Sequence, residues 1–354
     1  MDAQIKEWIG RIVDAAETGR TLCIRGGGSK DFYGQAVQGE VLDTTPWRGI
    51  VSYEPTELVV VAKAGTPLAE LEATLKEKGQ CLPFEPPHFG VAATVGGMVA
   101  AGLSGPRRAA VGAVRDFVLG VKMLDGKGEV LAFGGQVMKN VAGYDVPRLI
   151  AGSLGTLGLM TEVSLKVLPL PMAGMTLRFA MTETEALKKL NLWGGKPLPI
   201  AASAWHDGAL TVRLAGAVAA VRAAREQLGG EEVADAGAFW QSVREQHHAF
   251  FAGDAPLWRV SVAPVAPPLV QGATLVEWGG ALRWMRGDVD AAALRALAVQ
   301  CGGHATLFRG NAELKARVGV CQPLSPVLAK IHRNLKQAFD PAGVFNRGRM
   351  YPEF

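Results

Sequence analysis

The chain has 354 residues, 49% of them apolar and 20% charged, and a formal charge of +4. That length exceeds what one hydrophobic core usually holds, so two domains are expected. Its basic residues are dispersed, as at Arg107-Arg108 and at Arg283 and Arg286, which argues against nucleic-acid binding. Cys23, Cys81, Cys301 and Cys321 stand far apart without a CxxC pair, as expected of buried thiols in a reducing compartment and not of a disulfide frame or iron–sulfur ligands.

At the N-terminus, Ile5, Trp8, Ile9, Ile12 and Val13 follow helical spacing among charges, which predicts an amphipathic helix and not a signal peptide. No apolar run is long enough to span a bilayer, so a cytoplasmic protein is expected, touching a membrane only through partners. Strands are expected at 21–24, 39–43, 49–53 and 57–62, followed by a helix over 68–78. Thr66 is its predicted N-cap, Pro67 fits its first turn and Gly79 its stop. A hairpin follows, with strands over 118–124 and 130–133 about the turn Asp125-Gly126-Lys127-Gly128, and then a strand over 160–167. Pro169-Leu170-Pro171 marks the end of the first domain. Beyond it, strands at 176–180, 209–214 and 257–262 alternate with helices from 184, over 218–228 and over 291–299. A loop is expected at 317–321 and a helix over 326–339. Trp278, Leu282 and Met285 form an apolar stripe suited either to the core or to a partner.

Glycine is abundant, at 44 residues, and is concentrated in the first 160 positions. Arg25-Gly26-Gly27-Gly28-Ser29 follows a strand. Without Cβ atoms its amides can converge on an anion, although a tight turn without ligand is the alternative for this pentapeptide alone. It is neither GxGxxG nor GxxxxGK[ST], which excludes a Rossmann dinucleotide site and a nucleoside-triphosphate P-loop. Thr94-Val95-Gly96-Gly97 with Ala101-Gly102-Leu103-Ser104-Gly105 makes a second such loop, and Gly152 to Gly158 a third. Several small-residue loops from separate parts of one domain suit a diphosphate clamped from both sides.

In order, RGGGS, TVGG, GAVRDFVLGVKMLDGKGEVL, GSLGTLGLMTEVSLKVLPLP and DPAGVFNRGRM resemble the signatures of FAD-linked oxidases of the vanillyl-alcohol-oxidase type. The resemblance is nearest to the FAD-binding subunits of bacterial glycolate oxidase complexes. It covers most of the first 170 residues and the last dozen. It implies an α+β fold: a two-subdomain FAD-binding domain over 1–170, a cap-like α+β domain over 171–325, and a C-terminal helix and tail over 326–354 returning to the first domain.

By the same resemblance, Arg25, Gly26, Gly27, Gly28 and Ser29 embrace the FAD diphosphate, and Thr94, Gly96, Gly97, Gly102, Ser104 and Gly105 flank the diphosphate and ribityl chain. Arg115 and Asp116 support the flavin cavity. Gly155, Gly158 and Val163 lie near the adenine or ribityl end, and Asn346 returns to the flavin. The cofactor is expected to be non-covalent FAD. The implied reaction converts glycolate, a small 2-hydroxy acid, to glyoxylate within a complex. Its expected partners are a paralogous FAD-linked catalytic subunit and an iron–sulfur subunit, at the inner membrane.

A 2-hydroxy-acid oxidase needs a cationic clamp and a group that takes the hydroxyl proton. Candidates are His88, Tyr144 with Lys139 and Asn140, Arg309, and His304. Catalytically complete relatives carry a GHxGDGNxH motif in the second domain, whereas this chain retains only Gly303-His304-Ala305-Thr306. His247 and His248 are adjacent and flanked by Gln246 and Ala249, so no metal site is expected. An auxiliary FAD or structural subunit, and a stand-alone enzyme acting on lactate or another alcohol, are the rival readings.

Overall fold

The computed structural model describes residues 2–135, 144–269 and 273–354. Helix α1 (Ala3–Thr18) starts where the Asp2 carboxylate accepts from the Gln4 amide and stops at Gly19, whose φ of 69° ends the helical turn. It buries Ile5, Trp8 and Ile12 against Leu22, Leu42 and Leu159, and against Val344 and Phe345 from the far end of the chain. The tail is thus part of the N-terminal core.

Strands β1 (Leu22–Arg25) and β2 (Glu40–Asp43) pair in parallel. Then follow β3 (Ile50–Glu54), β4 (Val59–Lys63), α2 (Leu68–Glu77), β5 (Gln80–Cys81), α3 (Val95–Ala101), α4 (Arg108–Val111), β6 (Val118–Leu124), β7 (Val130–Gly134), α5 (Val146–Ile150), β8 (Leu159–Lys166) and β9 (Leu168–Pro169). The antiparallel sheet β3-β4-β8-β6-β7 buries Val60, Ala62, Val121, Val163 and Leu165 under α2 and α3. The expected hairpin forms, with Asp125 accepting from the Lys127 and Glu129 amides. Thr66 does not cap α2. Its fully buried hydroxyl instead satisfies the backbone N–H and carbonyl of Gly49, at 2.9 and 3.1 Å. Buried backbone groups without partners cost more than an unfilled cap on a partly solvated helix end.

The rest of the chain builds one antiparallel sheet of eight strands, β13-β10-β12-β11-β15-β16-β14-β17. In chain order these elements are β10 (Ala173–Ala180), α6 (Glu183–Gly194), β11 (Ile200–His206), β12 (Ala209–Gly216), α7 (Val218–Leu228), β13 (Glu231–Glu232), α8 (Ala236–Arg244), β14 (Leu257–Ser261), β15 (Ala273–Glu277), β16 (Leu282–Arg286), α9 (Ala291–Gln300), β17 (His304–Arg309), α10 (Ala312–Val318) and α11 (Pro326–Phe339). Helix α6 carries a full capping box between Thr182 and Glu185.

Strand periodicity gives this sheet two faces. The outer one packs Val260, Met285, Ala305 and Leu307 on α9, and Leu177, Val212 and Leu214 on α6 and α7. The inner one packs Leu257, Leu275, Leu282, Trp284 and Phe308 against Ala101, Leu103, Phe89 and Phe32 of the first lobe. Leu282 and Met285 therefore lie on opposite faces of β16, and both are buried with Trp278. The stripe is core, and its partner reading falls. The loop expected at 317–321 is helical at its start, because α10 runs on through Val318 before Gly319 ends it.

Candidate functional site

A cleft opens beside β1, lined by Arg25 to Asp31, Thr94, Gly97, Leu154, Asn346 and Arg349. Its glycines are required sterically. A Cβ on Gly26 would strike the Thr94 hydroxyl, one on Gly27 would overlap the Ala92 carbonyl, and Gly28 holds φ at 70°. Among the described residues, the amides of Gly27, Gly28, Ser29 and Lys30 donate to no protein acceptor. They line the cleft as unused N–H donors, which an anion can satisfy. Thr94 caps α3, its hydroxyl accepting from the Gly97 amide at 3.2 Å. Gly96 lies against Ala64, and Gly102 against the backbone of Gly152, where side chains would not fit.

Two cations hold the loop. Lys30 donates to the His88 carbonyl at 3.1 Å. Burial pushes its pKa down to about 8, a drop that Glu245 partly offsets. The half-buried Arg349 guanidinium donates to the carbonyls of Gln35, Lys30 and Asp31. Arg25 turns outward to pair with Asp31 at 2.6 Å.

Asn346 links three segments at the cleft. Its Oδ1 accepts from the Ile24 amide at 2.8 Å and its Nδ2 donates to the Leu154 carbonyl at 2.7 Å. Gly155, at φ 73°, leaves room for that amide, since a Cβ there would lie 2.7 Å from Nδ2. Ser104 and Gly105 line a second, inner cavity instead, with the Ser104 hydroxyl accepting from the Val114 amide. Asp116 accepts from the Ala113 amide and pairs with Arg148. Gly158 packs on Met123 and Leu124. Val163 is fully buried in the sheet, in register with Ala62 and Val121, away from both cavities.

The proton-transfer candidates are not brought together. His88 Nε2 is 2.9 Å from Glu72 on α2, and its backbone N–H donates to the buried Glu245 at 3.0 Å. Tyr144 is 96% exposed, while Lys139 and Asn140 lie outside the described residues. His304 is exposed at the start of β17, its pKa lowered by desolvation and by Arg259. The Arg309 guanidinium stacks 4.6 Å from the Phe32 ring. His248 packs edge-on to His206, with ring centroids 5.4 Å apart.

The inner cavity is a narrow space between the lobes, lined by residues that pattern reading passed over: Gln246, Arg259 and Glu277. Glu277 accepts from Trp284 Nε1 at 2.7 Å. Burial pushes its pKa up to about 7 against the opposing pull of Trp284 and Arg259. Arg259 sits 5.2 Å from the Trp278 ring, and Arg108 lies 4.4 Å from the same ring. The available signal was a charge inside an otherwise apolar strand, as in LWRVS and ATLVE.

A family model described as an FAD binding domain matches residues 4–134. The chain is 51% identical over 333 residues to the glycolate oxidase subunit GlcE of Escherichia coli strain K12, covering 94% of this chain and 93% of that one. It is 30% identical over 180 residues to the D-lactate dehydrogenase of Anaerostipes hadrus, covering 50% of this chain and 38% of that one. A solved alkyldihydroxyacetonephosphate synthase shares the fold, with a TM-score of 0.64 at 16% identity over 96% of this chain and 75% of that one.

Proposed function

The chain belongs to the family of the glycolate oxidase subunit GlcE, and from that premise we propose that it is the FAD-holding subunit of a multi-subunit oxidoreductase that converts glycolate to glyoxylate. The carrying observation is near-full-length identity of 51% in a chain whose cleft keeps a row of unpaired amides. FAD, when bound, supplies the two-electron acceptor.

The chain's own residues hold it. Gly27 to Lys30 would offer N–H donors to the diphosphate and Lys30 would add positive charge, while Asn346 and Arg349 fix the loop's shape. Cys23 reaches the cleft, where burial raises its pKa and disfavours the thiolate that a covalent link through it would need, in keeping with non-covalent FAD. Electrons leave through an iron–sulfur partner beside a paralogous FAD-linked subunit. The assembly works on the cytoplasmic side of the inner membrane, which this chain meets through partners. A second reading, an auxiliary subunit whose paralogue does the chemistry, draws on the exposed His304 and the lost histidine motif.

The test is the visible spectrum of the purified chain, followed by anaerobic glycolate. Flavin bands that bleach assign the oxidation to this subunit, and bands that persist favour the auxiliary reading. A chain that takes up no FAD sinks both.

A further inference from the structure

The chamber between the lobes contains polar groups that packing leaves without partners. Arg259 enters from β14, and among the described residues nothing accepts a hydrogen bond from its guanidinium. Gln246 is 7% exposed, held at φ 57°, and its Oε1 meets no donor. Glu277 receives one hydrogen bond, from Trp284. Phe89, Leu103, Leu282 and Phe308 supply the chamber's apolar lining. Arg108 and Arg115 add like charge, each opposing the ionisation of its neighbours.

An orphaned buried acceptor is costly, and packing does not retain one for its own sake. The unfilled donor wants an anion, and the unfilled acceptor wants a hydroxyl or N–H. A 2-hydroxy monocarboxylate carries both an anion and a hydroxyl on adjacent carbons. Ala101 of the cofactor cleft and Leu103 and Ser104 of the chamber are separated only by Gly102, so one short segment lines both cavities.

We propose that this chamber is a binding site for a small 2-hydroxy monocarboxylate, with Arg259 taking the carboxylate, Gln246 accepting from the hydroxyl, and the Glu277 carboxyl lying beside them. The inference rests on the function proposed above and deepens it. It puts a substrate site in this chain, built without the histidine motif its relatives use. Glu277 is faced by Arg259 from β14, Trp284 from β16 and Glu85 from the first lobe. Its carboxyl is neutral below about pH 7 and repels no anion there. As pH rises through that value it ionises, and anion binding weakens.

The experiment titrates the anaerobic FAD-loaded chain with glycolate, and with acetate as the probe lacking a hydroxyl, reading tryptophan fluorescence at about pH 6 and about pH 8.5. Glycolate should quench saturably and bind more weakly at the higher pH, and acetate should bind less tightly than glycolate. Arg259→Met should lose about thirty-fold in affinity, the scale of one charge-assisted hydrogen bond in a closed site. Glu277→Gln should bind glycolate while losing the pH dependence. Glycolate affinity unchanged in Arg259→Met, or a wild-type pH profile in Glu277→Gln, overturns the proposal. Should Arg259→Met fail to fold, Gln246→Leu carries the test, with loss of the preference for glycolate over acetate expected and retention overturning it. FAD content is read in every sample. A wild-type chain that retains FAD but binds no glycolate sinks this inference alone, whereas one without FAD sinks the proposed function.

Discussion

Asn346 and Leu154 are joined by a 2.7 Å hydrogen bond from side-chain amide to backbone carbonyl, across 192 positions of sequence. The same side chain accepts from Ile24, so the last residues of the chain determine how β1 and the Gly152–Gly158 loop meet at the cleft. Replacing Asn346 by Ala removes both bonds and strands two backbone groups at a half-buried site. A loss of about 2–3 kcal/mol is expected in urea unfolding, with weaker FAD retention. A loss below about 0.5 kcal/mol would show that water replaces the amide freely.

Gly27 is the tightest point of the cleft, with no space for a Cβ beside Ala92. Gly27→Ala should abolish FAD retention, because the backbone must shift by more than the loop allows. Gly10→Ala on the exposed side of α1, where nothing lies within 4 Å, is the matched control and should keep FAD. Equal flavin-to-protein absorbance ratios in the two variants would remove Gly27 from the site.

Lys30 carries a buried amine whose pKa is depressed to about 8. Below that value it is charged and attracts a diphosphate, and above it the attraction is lost. FAD affinity, measured by equilibrium dialysis, should therefore fall as pH rises through about 8 and be flat in Lys30→Gln. A wild-type affinity constant across that interval would mean that Lys30 only braces the His88 carbonyl.

Glu277 shifts in the opposite direction for an acid, from an ordinary 4.5 up to about 7 in the fold. The folded state then binds the proton more tightly than the unfolded chain does. Its contribution to stability is complete below about 4.5 and is lost as pH rises through about 7. Glu277→Gln should raise Tm relative to wild type at about pH 8 and leave it unchanged or lower at about pH 4.5. Calorimetry showing the same Tm difference at both values would place the carboxyl in contact with solvent.

Much of the secondary structure could be read locally. The helices over 218–228 and 326–339 begin and end where apolar spacing and flanking Gly, Ser and Pro put them, since caps and periodicity act over a few residues. Thr66 was misread because its preference for a cap competes with a partner, Gly49, that only folding brings near. Arg349 and Lys30 were passed over because nothing in a run of sequence shows that the returning tail will bring the two together.

The sequence alone determined where the backbone must do without side chains. Gly26 to Gly28, Gly102 and Gly105 are legible because steric exclusion is written in the residue itself, and their ordered appearance pointed to a flavin. Tertiary structure alone decided where the charges go. Period-2 alternation puts Arg259 and Glu277 on a face without saying what that face meets. The burial of Glu277, its shift and the convergence of both with Gln246 follow from the inner sheet closing on Phe89 and Leu103. Desolvation is a property of the packed lobes and is absent from any stretch of chain.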